Sequence, residues 1–364
     1  MQTKKRTSDY GQDLNKGVNN MKALVLKGKC KVDYEDVETP KCPKRGLLLK
    51  IEAVGLCGSD VRTYAFGHHN VEYPAVLGHE NVGRIIEVSE GVDGYEVGER
   101  IMMHPGIPCG KCTYCQSGLQ SLCENRLTYG HTIYGGMAEY MAVPKEGIDR
   151  GLILKVPKNI KSEEIVTVEL LSSVLNAQEN AGVNIGDTVV IIGTGPIGCL
   201  HSEISRLKGA KKIIMVDLKA SRLEMCKQFS GTDFIDSSKY DPIEKVMELT
   251  GGIGADHVIV AAPSADAHYQ GLRMLKKRGT LVLFGGLNKD NPWTKLDANL
   301  IHYRELTIKG AFGYGFSVFS KAFDIVCNKM LRGNIVTHII PLKDMEKGVS
   351  LIKKGEALKV VMKP

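Results

Sequence analysis

The sequence predicts an α/β protein of two domains, one mostly β and one built on a parallel sheet. Three observations carry this. The chain has 364 residues, enough to bury two ordinary cores. From Met21 to about Ala142 it reads as short β-like runs bounded by glycine, proline or charge, among them GLLLKIEAVGLCGSD, NVGRIIEV and AEYMAVP. From Thr188 onward buried strands alternate with helical stretches, the pattern of a parallel sheet.

Taken in order, residues 1–20 are polar, with four basic residues against two acidic ones, and read as a disordered extension before a start at Met21. They lack the apolar core of a secretory signal, and no run approaches a membrane span. The expected compartment is therefore the reducing cytoplasm, where disulfides are rare. A helical stretch is expected near 162–181. The strand Thr188–Ile192 then leads through a glycine turn into a helix ending near Lys208. A second strand, Lys212–Val216, ends at Asp217, and a helix runs from Ser221. ADHVIVAA, AHYQGLRMLKK and GTLVLFGG continue as strand, helix, strand, and apolar alternation near 282–287 suggests an edge strand that could pair two subunits. The last fifty residues are mixed and end in the strand-like ALKVVMKP. Net charge is +7 but spread thinly, without the dense basic stripe of a nucleic-acid binder.

The turn GTGPIG places Gly193, Gly195 and Gly198 in a G-x-G-x-x-G pattern, with Pro196 and Ile197 between the last two. It follows a strand and opens a helix, the context in which such glycines let a backbone approach a pyrophosphate at a helix N-terminus. Asp217, some twenty residues on, can accept hydrogen bonds from the adenosine ribose hydroxyls and repels a 2′-phosphate, which favours NAD over NADP. Lys219 and Arg222 stand close enough to blur that preference.

Cys109, Cys112, Cys115 and Cys123 form C-x2-C-x2-C-x7-C. Four converging thiolates suit a closed structural zinc, and they also suit an iron–sulfur cluster. The last spacing and the absence of a proline after Cys123 differ from the bacterial ferredoxin run. A second set is more open: Cys57 in GLCGSD, and His79 and Glu80 in GHE, pair a thiolate with an imidazole and a carboxylate.

GLCGSD, GHE, the four-cysteine lobe, GTGPIG and the strand-end acid, in that order, resemble the zinc-dependent medium-chain alcohol and polyol dehydrogenase family, in its sorbitol dehydrogenase-like branch, over residues 21–364. The resemblance implies a discontinuous, mostly-β GroES-like catalytic domain (21–170 and 313–364) with an inserted Rossmann domain, a doubly wound parallel sheet, at 171–312. It implies NAD and two zinc ions per chain, one catalytic and one structural. Cys57, His79 and Glu169 would hold the catalytic zinc, with Glu80 beside it and able to bind it at some stage. Asp60 would orient the imidazole, and Ser59 would take the alcohol proton. Glutamate at 169, where other branches have cysteine, points to polyols. Homodimers or homotetramers are common in the family.

Two positions depart from the pattern. Arg62 stands where many relatives have a proton-relaying histidine, and a guanidinium cannot relay; it could instead meet coenzyme phosphate or an anionic substrate. His68 and His69 are the alternatives nearby. Gly313, before Tyr314, replaces an arginine of sorbitol dehydrogenases. Tyr64 and Tyr314 are candidate substrate contacts. The expectation is a secondary-alcohol dehydrogenase acting on a polyol or sugar alcohol. A sugar-phosphate dehydrogenase and a non-catalytic NAD-binding protein are the alternatives.

Overall fold

The computed structural model describes residues 20–364. The expected extension lies outside them except for Asn20, which opens the first strand. The chain divides into two compact units. One comprises residues up to Glu169 with Gly315–Asn328 and Val336–Pro364, and the other comprises Leu170–Tyr314 with Lys329–Ile335.

The first unit is mostly β. Its main sheet runs in the order Ile153–Lys155, Arg100–Met103, Glu80–Val88, Leu47–Leu56, Lys359–Lys363, Val336–Pro341, and Tyr140–Val143 also pairs with Leu47–Leu56. Leu47–Leu56 is central because its residues are apolar on both faces, and Leu47, Leu49, Ala53 and Val54 are fully buried. Each such aliphatic side chain contributes about 1.5–3 kcal/mol by leaving water. A second, three-stranded sheet joins Asn20–Gly28 to Lys31–Glu38 and Ala75–Val76. The run GLLLKIEAVGLCGSD is not all strand: the strand stops at Leu56, and the helix Gly58–Phe66 begins directly after Cys57.

The second unit is a six-stranded, all-parallel sheet. Its order is Asp233–Asp236, Lys212–Asp217, Thr188–Ile192, Ala255–Val260, Leu275–Leu283, Thr307–Gly310. Numbered along the chain this is 3-2-1-4-5-6, the doubly wound dinucleotide-binding order, and its switch point lies beside Thr188–Ile192. Two expectations are corrected. The expected helix AHYQGLRMLKK ends at Arg273, and its last residues open the strand Leu275–Leu283. That strand is interior rather than an edge, since Thr307–Gly310 pairs on its far side; residues 284–287 form no strand. Among the described residues no helix is long and apolar enough to cross a membrane.

Candidate active site

In the first unit Cys57, His79, Glu80 and Glu169 come together, each offering one ligand atom, all four atoms within 4.8 Å of one another. Three segments deliver them. Cys57 ends the central strand's exit, His79 and Glu80 open the strand Glu80–Val88, and Glu169 lies in the first turn of the helix Val168–Ala181. Asp60 is fully buried behind them. One of its oxygens accepts the backbone N–H of Cys57 at 3.0 Å, and the other lies 3.3 Å from Nδ1 of His79. This fixes the imidazole with Nε2 toward the other ligands, the arrangement by which a carboxylate orients a metal-binding histidine. Burial is the largest influence on His79 and lowers its basicity, but the charge and hydrogen bonding of Asp60 and Cys57 together outweigh it and, with no metal bound, hold the imidazole well above its ordinary range. Burial likewise opposes the charge on Asp60, and His79 with the Cys57 N–H and His131 together outweigh it, keeping Asp60 below the ordinary carboxylate range. Ser59 Oγ lies 3.4 Å from His79 Nε2.

Glu80 carries the strongest sign of a metal. Its side chain is completely buried, and Oε1 has no hydrogen-bond partner. Its Oε2 meets the ammonium of Lys359, itself only 2% exposed, which also donates to the Leu56 carbonyl at 3.3 Å. Burial works against the Lys359 charge, but Glu80, Cys57 and Glu169 around it raise its pKa. Gly55 makes room for this pair, because a Cβ there would stand 1.8 Å from Glu80 Oε2. Lys359 was not foreseen; it lies in the apolar run ALKVVMKP, and a lysine in an apolar strand is the signal that points to a buried countercharge.

The four-cysteine lobe also gathers. Cys109, Cys112, Cys115 and Cys123 bring their sulfurs within 4.8 Å of one another. Cys112 and Cys115 are 3.4 Å apart, and Cys109 and Cys115 are 3.9 Å apart. A tetrahedral zinc site with bonds near 2.3 Å requires sulfurs about 3.8 Å apart, so these residues fit the metal. The backbone N–H of Lys111 aimed at Cys109 is the largest cause of its thiol falling to about 6. All ten cysteines are free thiols, and none is disulfide-bonded.

The remaining candidates divide. Arg62 is exposed on the helix Gly58–Phe66. Tyr64 belongs to the core: its ring packs in the apolar cluster, and its hydroxyl donates to Glu346 at 2.7 Å. It therefore meets protein where a substrate contact was expected. Tyr314 is 4% exposed, in the second unit. Gly313 has φ 57, a left-handed conformation that strains an arginine, and its carbonyl accepts from Asn176 at 2.8 Å. His68 stacks on His69 at 4.3 Å and on His131 at 4.5 Å, and His131 lies 5.9 Å from His79. His131 was not anticipated, since a lone histidine in a glycine-rich hairpin carries no motif.

In the second unit the glycine turn has the expected construction. Gly193 adopts φ 101, and a Cβ on Gly198 would stand 1.9 Å from the Gly193 carbonyl oxygen, so helix and strand pack too closely for a side chain. Gly195 caps the helix Pro196–Leu207 with proline in its first turn, leaving N–H groups free for an anion. Ile197 follows in that turn. Asp217 closes its strand, and its carboxylate already has three donors: Thr194 N at 2.7 Å, Thr194 Oγ1 at 3.0 Å and Lys219 N at 2.9 Å. Room for both ribose hydroxyls, as the sequence suggested, is thus reduced. The Arg222 guanidinium lies 3.7 Å from where a Cβ on Gly195 would be.

Residues 43–158 match the alcohol dehydrogenase GroES-like domain, and residues 196–328 match the zinc-binding dehydrogenase domain. The chain is 31% identical over 350 residues to a protein from Aspergillus clavatus named probable D-xylulose reductase A, covering 93% of this chain and 96% of that one. It is 32% identical to the sorbitol dehydrogenase of Halalkalibacterium halodurans, covering 94% and 99% of the two. Among solved structures, a Sinorhizobium meliloti protein described as a zinc-binding dehydrogenase and bound to NADP superposes with a TM-score of 0.88 at 29% identity, covering 95% of this chain and all of that one. With both domain types matched in order and the ligand residues gathered, the chain belongs to the zinc-dependent medium-chain alcohol and polyol dehydrogenase family.

Proposed function

We propose that this protein is a cytoplasmic NAD-dependent dehydrogenase that oxidises a secondary alcohol of a polyol or sugar alcohol to a ketone, reversibly. It would carry two zinc ions per chain and act as a homodimer or homotetramer. The observation that carries the reading is the buried cluster of Cys57, His79, Glu80 and Glu169, backed by Asp60 and countered by Lys359. Glutamate at position 169 and relatives named for xylulose and sorbitol support a polyol.

Cys57, His79 and Glu169 would hold the catalytic metal, with Glu80 able to join or leave it because Lys359 supports its charge when it does not. Cys109, Cys112, Cys115 and Cys123 would hold the second ion. When bound, zinc supplies a Lewis acid for the substrate oxygen, and nicotinamide supplies a hydride acceptor. The chain's own residues do the rest. With the metal bound, Asp60 would keep the remaining imidazole proton on Nδ1 of His79 and leave Nε2 its lone pair. Ser59, whose half-buried hydroxyl sits beside His79, would take up the substrate's hydroxyl proton while releasing its own to solvent. The turn with Gly193, Gly195, Pro196, Ile197 and Gly198 offers helix N–H groups to the pyrophosphate, and Asp217 discriminates against a 2′-phosphate. Exposed Arg62 supports a second reading, an anionic sugar phosphate as substrate.

The test is NADH formation by zinc-loaded protein on a panel of neutral polyols, simple secondary alcohols and sugar phosphates, with metal analysis alongside. Turnover of a neutral polyol with two zinc equivalents is the expected result. Turnover on phosphorylated substrates alone would replace it with the second reading. Silence across the panel with NAD bound would favour a non-catalytic NAD-binding protein.

A further inference from the structure

We propose that Thr194, the residue between the first two glycines of the turn, is a positioning residue that presets Asp217 and so sets the choice between NAD and NADP. This rests on the coenzyme reading above. Thr194 is completely buried although it lies in the turn that would face the coenzyme, so its hydroxyl serves the protein. Both of its donors converge on a single oxygen, Oδ2 of Asp217, from N at 2.7 Å and from Oγ1 at 3.0 Å. Its own carbonyl accepts the thiol of Cys199 at 3.5 Å, and Gly193 N is tied to the Val216 carbonyl at 2.8 Å. Turn and strand end are therefore stitched together at three places.

A carboxylate offers about four lone-pair sites. Thr194 fills two and Lys219 N–H fills a third, on Oδ1. What remains is one acceptor position, on Oδ1, aimed in a fixed direction. That geometry suits one ribose hydroxyl and leaves the carboxylate no freedom to swing aside. A 2′-phosphate requires such a swing, because two anions cannot share the space. The cation ready to receive that phosphate is already close: Arg222 lies over Gly195. The hydroxyl of Thr194 is the restraint that keeps the site from relaxing toward Arg222.

Thr194→Val keeps the shape and the backbone N–H and removes the hydroxyl donor. The experiment measures equilibrium binding of NADH and NADPH to full-length, zinc-loaded protein by calorimetry, with KM and kcat for NAD in parallel. In Thr194→Val the ratio of NADPH to NADH dissociation constants should fall about tenfold, with KM for NAD rising and kcat unchanged, and Thr194→Ser should restore the wild-type ratio. Because the readout is a ratio, a partly unfolded sample does not imitate the effect; Thr194→Ala serves if the valine variant fails to fold. Asp217→Asn separates the two claims. A shifted ratio in Asp217→Asn with an unshifted one in Thr194→Val and Thr194→Ala would overturn the role of Thr194 alone. An unshifted ratio in Asp217→Asn would overturn the coenzyme reading itself.

Discussion

Replacing Lys359 with methionine tests the electrostatics of the site most directly. Methionine approximates the length of the lysine stem and removes the ammonium, with its charge and its bond to the Leu56 carbonyl. Lys359 is 2% exposed and Glu80 is fully buried, so water cannot take over from the lost ammonium. Breaking one side of a buried ion pair costs about 3–5 kcal/mol. In a unit of this size each kcal/mol moves the melting temperature by about 2–4 °C, so the variant should melt roughly 6–20 °C lower. The loss should be larger after zinc is stripped, when no divalent cation offsets Glu80. The double variant with Glu80→Gln should lose less than the two singles added together, because neither orphan charge remains. The assay is thermal unfolding of all four proteins, zinc-loaded and stripped. A stripped Lys359→Met protein melting within about 2 °C of the unaltered chain would refute the argument, because the pair would then contribute less than about 1 kcal/mol.

Cys112→Ser should lose one zinc equivalent and leave the other, and the segment 109–123 should become open to protease. Structural zinc contributes on the order of 10 kcal/mol to local folding, so metal analysis and limited proteolysis will read this clearly. Glu52 predicts a pH dependence. Burial pushes its carboxyl up, but the Ser162 hydroxyl and the guanidinium groups of Arg100 and Arg84 outweigh it and hold the pKa below the ordinary glutamate range. Its stabilisation is complete above the unfolded value of about 4.3 and is lost as pH falls through the lower folded value. The stability gap between the unaltered chain and Glu52→Gln should therefore be full at neutral pH and close under acid, as denaturant titrations across that range will show. Tyr64→Phe should cost about 1–2 kcal/mol through the lost bond to Glu346 while leaving kcat unchanged; a large fall in kcat would return Tyr64 to the substrate.

Residue type and spacing pointed to the two side-chain clusters and the glycine turn that the structure brings together, because metal and pyrophosphate chemistry constrain such patterns tightly. The cysteine lobe is local, so its pattern survives in one dimension. Thr188–Ile192 was legible because a parallel strand buried on both faces is continuously apolar. The start of the helix Gly58–Phe66 was hidden, since GLLLKIEAVG reads as strand up to the ligand cysteine, and helix and turn share the following GSD. LKKRGTLVL misled differently. Two lysines and an arginine favour a helix by propensity, but pairing with Ala255–Val260 prevails, with Arg278 at φ 61 in an irregular stretch where the register shifts. Tyr64 could not be assigned from sequence, because an aromatic at helical spacing reads the same whether it faces core or ligand. Gly313 is informative only with its φ known: left-handed backbone explains the glycine, and the loss of an arginine follows from it.

Lys359 links the two halves of the discontinuous first unit. Gly55 pairs with Glu80 on one side of the central strand and with Val361 on the other. Three strands in register thus set a carboxylate and an ammonium across a residue without a side chain. The carboxylate comes from the segment before the nucleotide-binding unit and the ammonium from the segment after it. Glu80 buried alone would carry an unpaired charge, which proteins avoid by pairing or by neutralisation. A neutralised Glu80 could not serve a metal. Here the countercharge comes from the last strand, which returns to the sheet that the first half began, so the ion pair ties together the two segments that flank the parallel-sheet unit.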